Sequence, residues 1–104
     1  NWNNFKILNY HELINSTIRK IQQDFKIPDN IKKSTEEVMS EFLESNYYSN
    51  IKYFENQKDQ ITKYSTIFID EVQDYKKDWL IILKKVFLNE GGEFVVFGDD
   101  KQDI

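Results

Sequence analysis

Residues 64–79 read YSTIFIDEVQDYKKDW. Thr66, Ile67, Phe68 and Ile69 are strand formers that run straight into Asp70 and Glu71, and after one valine come Gln73 and Asp74. A turn at the end of a buried strand needs polar residues, but three carboxylates this close repel one another unless something compensates. Beyond the acidic turn, the spacing of Trp79, Leu80, Leu83, Val86 and Phe87 predicts a helix from about Asp78. Gly91-Gly92 predicts its stop, and Glu93 to Phe97 reads as a second apolar strand. Strand, helix, strand predicts a β-α-β unit: two parallel strands joined by a right-handed crossover, in a sheet covered on both faces.

Upstream, Phe5 to Tyr10 has the length and polarity of a strand. From His11 the period becomes helical, with Ile14, Ile18, Ile21 and Phe25 on one stripe and an end near Lys26. Pro28-Asp29-Asn30 marks a loop, and Ser34 with Glu37 has capping-box spacing at the head of a helix carrying Val38, Met39, Phe42 and Leu43. A break is expected at Asn46 to Asn50, and Ile51, Phe54 and Ile61 are placed to line another short helix. The expected organisation is strand-helix over 1–25, a variable helical segment over 26–63, and strand, helix, strand over 64–104. The fold class is α/β, with a short parallel sheet of about three strands flanked by helices.

The chain has 104 residues, a formal charge of −4, no cysteine and one histidine. That length suits one small domain or a piece of one. A disulfide frame, a thiolate metal site and a multi-histidine zinc site are excluded. The acidic balance, with Arg19 the only arginine, argues against a strongly basic grip on nucleic acid. No apolar run approaches the length of a membrane-spanning helix, so no membrane partner is expected and the expected compartment is cytoplasmic.

In a parallel sheet, strands joined by a crossover end at the same rim, where ligands of such folds sit. The turn after Phe97 reads Gly98-Asp99-Asp100-Lys101-Gln102-Asp103, which brings further acids beside Asp70, Glu71 and Asp74. A divalent cation is the simplest compensation, and Mg²⁺ suits one or two carboxylates plus substrate phosphates. Asp70 as metal ligand and Glu71 as the base for an attacking water form a coherent set for phosphate hydrolysis.

The segment IFIDEVQD, residues 67–74, resembles the Walker B element (motif II) of superfamily 1 helicases of the UvrD/Rep type. VVFGDDKQDI, residues 95–104, resembles motif III of the same family. The resemblance implies part of a RecA-like ATPase domain in which Asp70 binds Mg²⁺ and Glu71 activates the hydrolytic water. It also implies that Gln102 senses the γ-phosphate, that Asp99 supports its turn, and that Gln73 and Asp74 link the nucleotide and nucleic-acid sites. LNYHELI, residues 8–14, is similar to motif Ib, which makes Tyr10 and His11 candidate contacts to single-stranded DNA, although Asn9 and Glu12 depart from the pattern. The implied cofactors are Mg²⁺ and ATP, and the implied partners are single-stranded DNA and the rest of a helicase chain.

No phosphate-cradling Walker A loop is present, since the only glycines are Gly91, Gly92 and Gly98. The expectation is therefore an internal slice of such a motor, inactive in isolation. The strand Phe94 to Phe97 would lack its neighbour and would either self-associate along that edge or be shielded by the chain's own polar middle; a monodisperse monomer in light scattering, with rapid amide exchange at Val95 and Val96, would count against self-association. Two other classes stay open: an acidic, non-catalytic interaction domain, and a metal-dependent nucleotidyl-transfer fragment suggested by FGDD at a strand end. Simpler roles stand beside the sharp ones. Asp74 or Asp78 is placed to cap the helix through Phe87, His11 to be a polar strand end, and Trp79, Phe87, Tyr47 and Tyr48 to pack. Lys76-Lys77 and Lys84-Lys85 read as solvated faces.

Overall fold

A computed structural model describes residues 5–7, by backbone alone, and residues 9–98. The chain is a mixed α/β structure built on a parallel sheet. Strand β1 (Phe5–Ile7) pairs with β2 (Tyr64–Ile69), which pairs with β3 (Leu88–Val96), in the order β1-β2-β3. Among the described residues the outer side of β3 has no strand against it.

Helix α1 (Tyr10–Gln22) begins one residue earlier than its apolar period predicts, because Asn9 caps it by accepting the Glu12 N–H at 3.3 Å. Tyr10 thus opens the helix and does not end the strand. Tyr10, Leu13, Ile14, Thr17 and Ile18 form its buried stripe, and Thr17 satisfies its hydroxyl on the Leu13 carbonyl at 2.7 Å. The helix stops short of Lys26 because Gln23 takes a positive φ of 72° that no helix continues, while its N–H still bonds the Arg19 carbonyl. Phe25 consequently leaves the stripe and meets the edge of Tyr47 at 4.8 Å.

Helix α2 (Asp29–Lys32) follows Pro28, and α3 (Glu36–Leu43) is capped by Thr35, whose hydroxyl accepts the Val38 N–H at 3.2 Å. The cap is not Ser34, whose own hydroxyl is engaged on the Ile31 carbonyl at the end of α2. Neither helix buries a residue. Where a break is expected after α3, the chain continues through a wider π-type turn, Glu44–Tyr48, before Asn50 caps α4 (Ile51–Asn56). Tyr47, Phe54 and Ile61 from this middle region enter the core.

Helix α5 (Lys77–Ile82) extends as a π-type turn to Phe87, and together they contribute Trp79, Leu80, Ile82, Leu83, Val86 and Phe87 to the core. Strand β3 starts at Leu88, so Gly91 and Gly92 lie inside it and do not precede it. They sit where the register slips: from Tyr64↔Leu88 to Thr66↔Glu93. Gly91 takes φ 76°, and Gly92 lies so close to Ser65 that a Cβ would stand 2.8 Å from its carbonyl oxygen.

Among the described residues the sheet is not covered on both faces. Ile67 and Ile69 are fully buried under the helices, while the alternate residues Thr66 and Phe68 are half-buried. On that second face Phe97 is 49% exposed and touches Phe68, ring centroids 4.7 Å apart. Among the described residues no helix is long and apolar enough to cross a membrane.

Candidate functional site

Strand β2 delivers its acids to the carboxyl-end rim of the sheet. Asp70 and Glu71 are exposed, directly after fully buried Ile69. The Asp70 carboxylate accepts the Glu71 N–H at 2.9 Å, and Glu71 takes a left-handed conformation, φ 56° and ψ 48°. Few residues other than glycine adopt it, and a residue held there stores strain of about 1–3 kcal/mol, a feature concentrated at functional turns. The chain then makes a 3₁₀ turn, Val72–Asp74, with Val72 buried as its anchor.

The two rim turns are physically joined. Phe97 donates its N–H to the Ile69 carbonyl at 2.8 Å, and Val72 donates its N–H to the Phe97 carbonyl at 2.9 Å. The ladder between β2 and β3 thus continues past the strands into the acidic turn, and the backbone leaving β3 at Gly98 lies against residues 72–73. Gln73 donates through Nε2 to a Glu71 carboxylate oxygen. Asp99 and Gln102, expected to complete this rim, lie outside the described residues.

Neither Asp74 nor Asp78 caps α5. The residue in the cap position is Lys76, which makes no side-chain cap bond. Asp74 is exposed and instead lines an open cleft of about 340 Å³ with Asn9, Tyr10, His11, Tyr75 and Trp79. The floor of that cleft is aromatic. Tyr10 is 2% exposed and stacks on Trp79 at 4.7 Å with planes 10° apart, and its hydroxyl donates to the Tyr48 carbonyl at 2.6 Å. Its ring therefore belongs to the core. Burial first, then Glu44 and Asp78 nearby, push its hydroxyl far above the ordinary tyrosine range. His11 is exposed, with its ring edge-on to Trp79 at 4.9 Å and to Tyr48 at 4.6 Å.

One residue of this cluster gives no signal in the sequence. Glu44, in the π-type turn, accepts the Trp79 indole N–H at 2.7 Å and the Ser49 hydroxyl, and lies 3.5 Å from the Lys76 ammonium. It pins the middle segment to the start of α5. Among the described residues no three metal-ligating side chains gather. No family model, curated protein or solved structure matches the chain.

Proposed function

We propose that the chain is part of the ATPase motor of a superfamily 1 helicase of the UvrD/Rep type, coupling Mg-ATP hydrolysis to movement on single-stranded DNA. The observation that carries this reading is the junction of the two rim turns through the Val72 N–H and the Phe97 carbonyl. It sets the Asp-Glu-Val-Gln-Asp turn beside the Gly98 turn, as the resemblance to motifs II and III requires.

The donor set fits a small hard cation. Asp70 and Glu71 offer exposed carboxylate oxygens at the end of a rigid strand, and Mg²⁺ needs only one or two such ligands, completing its shell with water and phosphate. Asp70 would hold the ion, which when bound neutralises charge on the phosphate oxygens. Glu71 would accept the proton of the attacking water, and Gln73 holds its carboxylate. The glycines inside β3 serve a bulge and build no phosphate loop, so ATP binding would depend on a Walker A element in a longer chain. In a RecA-like arrangement its strand would pair with the outer side of β3, where Val96 is 37% exposed.

The test is Mg²⁺-dependent ATPase activity in a chain that includes such a loop, with and without single-stranded DNA. DNA should stimulate hydrolysis, and Glu71→Gln should lower kcat by roughly 100-fold or more. Unchanged hydrolysis in Glu71→Gln would overturn the assignment of the base. No hydrolysis at all would favour an acidic interaction domain.

A further inference from the structure

Gly98 has φ 142°, and a Cβ built on it would overlap the Gln73 Oε1 and stand 2.8 Å from the Val72 nitrogen. The Gln73 carboxamide therefore occupies the place that any side chain at position 98 would need. The other end of that carboxamide, Nε2, donates to the Glu71 carboxylate. Glu71 is thus held from two directions. Asp70 takes its backbone N–H at 2.9 Å, and Gln73 takes its side chain. A carboxylate on an exposed turn samples several rotamers unless a neighbour selects one, and an amide donor to an ionised oxygen is among the stronger selectors.

We propose that Gln73 is a positioning residue for the Glu71 carboxylate, and that Gly98 makes this possible by leaving the space of a Cβ to the Gln73 amide oxygen. The position of Glu71 then depends on the turn after β3 through a steric contact, in addition to the backbone ladder. A shift of that turn toward the 3₁₀ turn would push Gln73 off Glu71, and a shift away would leave Gln73 loosely held. The functional meaning of this device rests on the hydrolysis reading, whereas the contact itself does not.

The test uses the side-chain amide of Gln73 in the ¹⁵N-labelled chain, its signals identified by their loss in Gln73→Leu. Solvent exchange of these protons should be slower than that of exposed side-chain amides by roughly tenfold or more, the factor expected for a hydrogen bond to a charged acceptor. Glu71→Ala should abolish that protection, as should Gly98→Ala, while Glu55→Ala on α4 should leave it intact. Because alanine is strained at this φ, Glu71→Ala at an exposed position provides the decisive variant should Gly98→Ala not fold. Unchanged Gln73 protection in Glu71→Ala would overturn the positioning role, and unchanged protection in a folded Gly98→Ala would overturn the role of the glycine. In a longer chain that hydrolyses ATP, Gln73→Leu should lower kcat and leave KM unchanged. The amide measurement requires no turnover, so a protected Gln73 in an inactive longer chain sinks the hydrolysis reading alone. Active hydrolysis with an unprotected Gln73 sinks the positioning role alone.

Discussion

Residues 64–98 and residues 26–61 reach the same core by different means. The first region buries Ile67 and Ile69 in alternation along β2, then a stripe from Trp79 to Phe87, so its apolar period and its burial coincide. The second region buries only Tyr47, Phe54 and Ile61, and α2 and α3 bury nothing. Polar bonds complete its attachment. The Tyr47 hydroxyl accepts the Gln22 side-chain N–H at 3.3 Å, Tyr53 donates to Gln22 at 2.8 Å, and Glu44 receives Trp79. A segment held by isolated anchors does not need a regular pattern, and this is why the sequence from Ser45 to Ile61 reads poorly although Tyr47, Phe54 and Ile61 reach the core.

The sharpest way to break this contrast is to remove an anchor. Phe54 is fully buried and meets Phe87, ring centroids 6.2 Å apart. Phe54→Ala should cost about 3–5 kcal/mol in urea unfolding, as much as Phe87→Ala, because both leave a cavity in one core. A cost below about 1 kcal/mol would make the middle region an appendage. Val38→Ala, on the exposed face of α3, should stay within about 0.5 kcal/mol and serves as the control.

A smaller effect is expected at Glu44. Glu44→Ala strands the indole N–H of buried Trp79 and should cost about 1–3 kcal/mol by the same measurement. Lys76→Ala should cost almost nothing, since the Lys76 side chain is 57% exposed and screened by water. Equal losses in the two variants would mean that the ion pair, and not the indole bond, joins the regions.

The smallest effect is a dependence on pH. Burial raises the hydroxyls of Tyr10, Tyr48, Tyr53 and Tyr75 above their unfolded value. The folded state therefore keeps protons that the unfolded chain releases, so the contribution is complete below about pH 10 and is lost as pH rises above it. For Tyr10 the slope is at most about 1.4 kcal/mol per pH unit. Unfolding in urea between neutral pH and pH 11 should show the decline, and Tyr10→Phe should flatten it. A wild-type stability that does not fall above pH 10 would contradict the burial of these hydroxyls.

Much of the rim was legible in the sequence. Acids following an apolar strand, and a second apolar strand one helix later, predict adjacent turns, and the bonds between Phe97, Ile69 and Val72 join them. The similarity of residues 8–14 to motif Ib makes Tyr10 a candidate surface contact. It is buried because Trp79, far along the chain, stacks on it. The capping roles suggested for Asp74, Asp78 and Ser34 fail for a local reason. Two more residues separate Asp74 from the start of α5, Asp78 already lies inside it, and the Ser34 hydroxyl is taken by α2.

By itself the sequence determined the parallel strand-helix-strand unit and the residues that stand at its strand ends. Those features follow from periods of two and 3.6 residues, which are properties of neighbours along the chain. Only the tertiary structure decided that one sheet face stays open among the described residues, that Glu44 binds Trp79, and that Gln73 fills the space beside Gly98 while holding Glu71. Each depends on atoms brought together from separate elements, and their contact exists only once the chain has closed around its core.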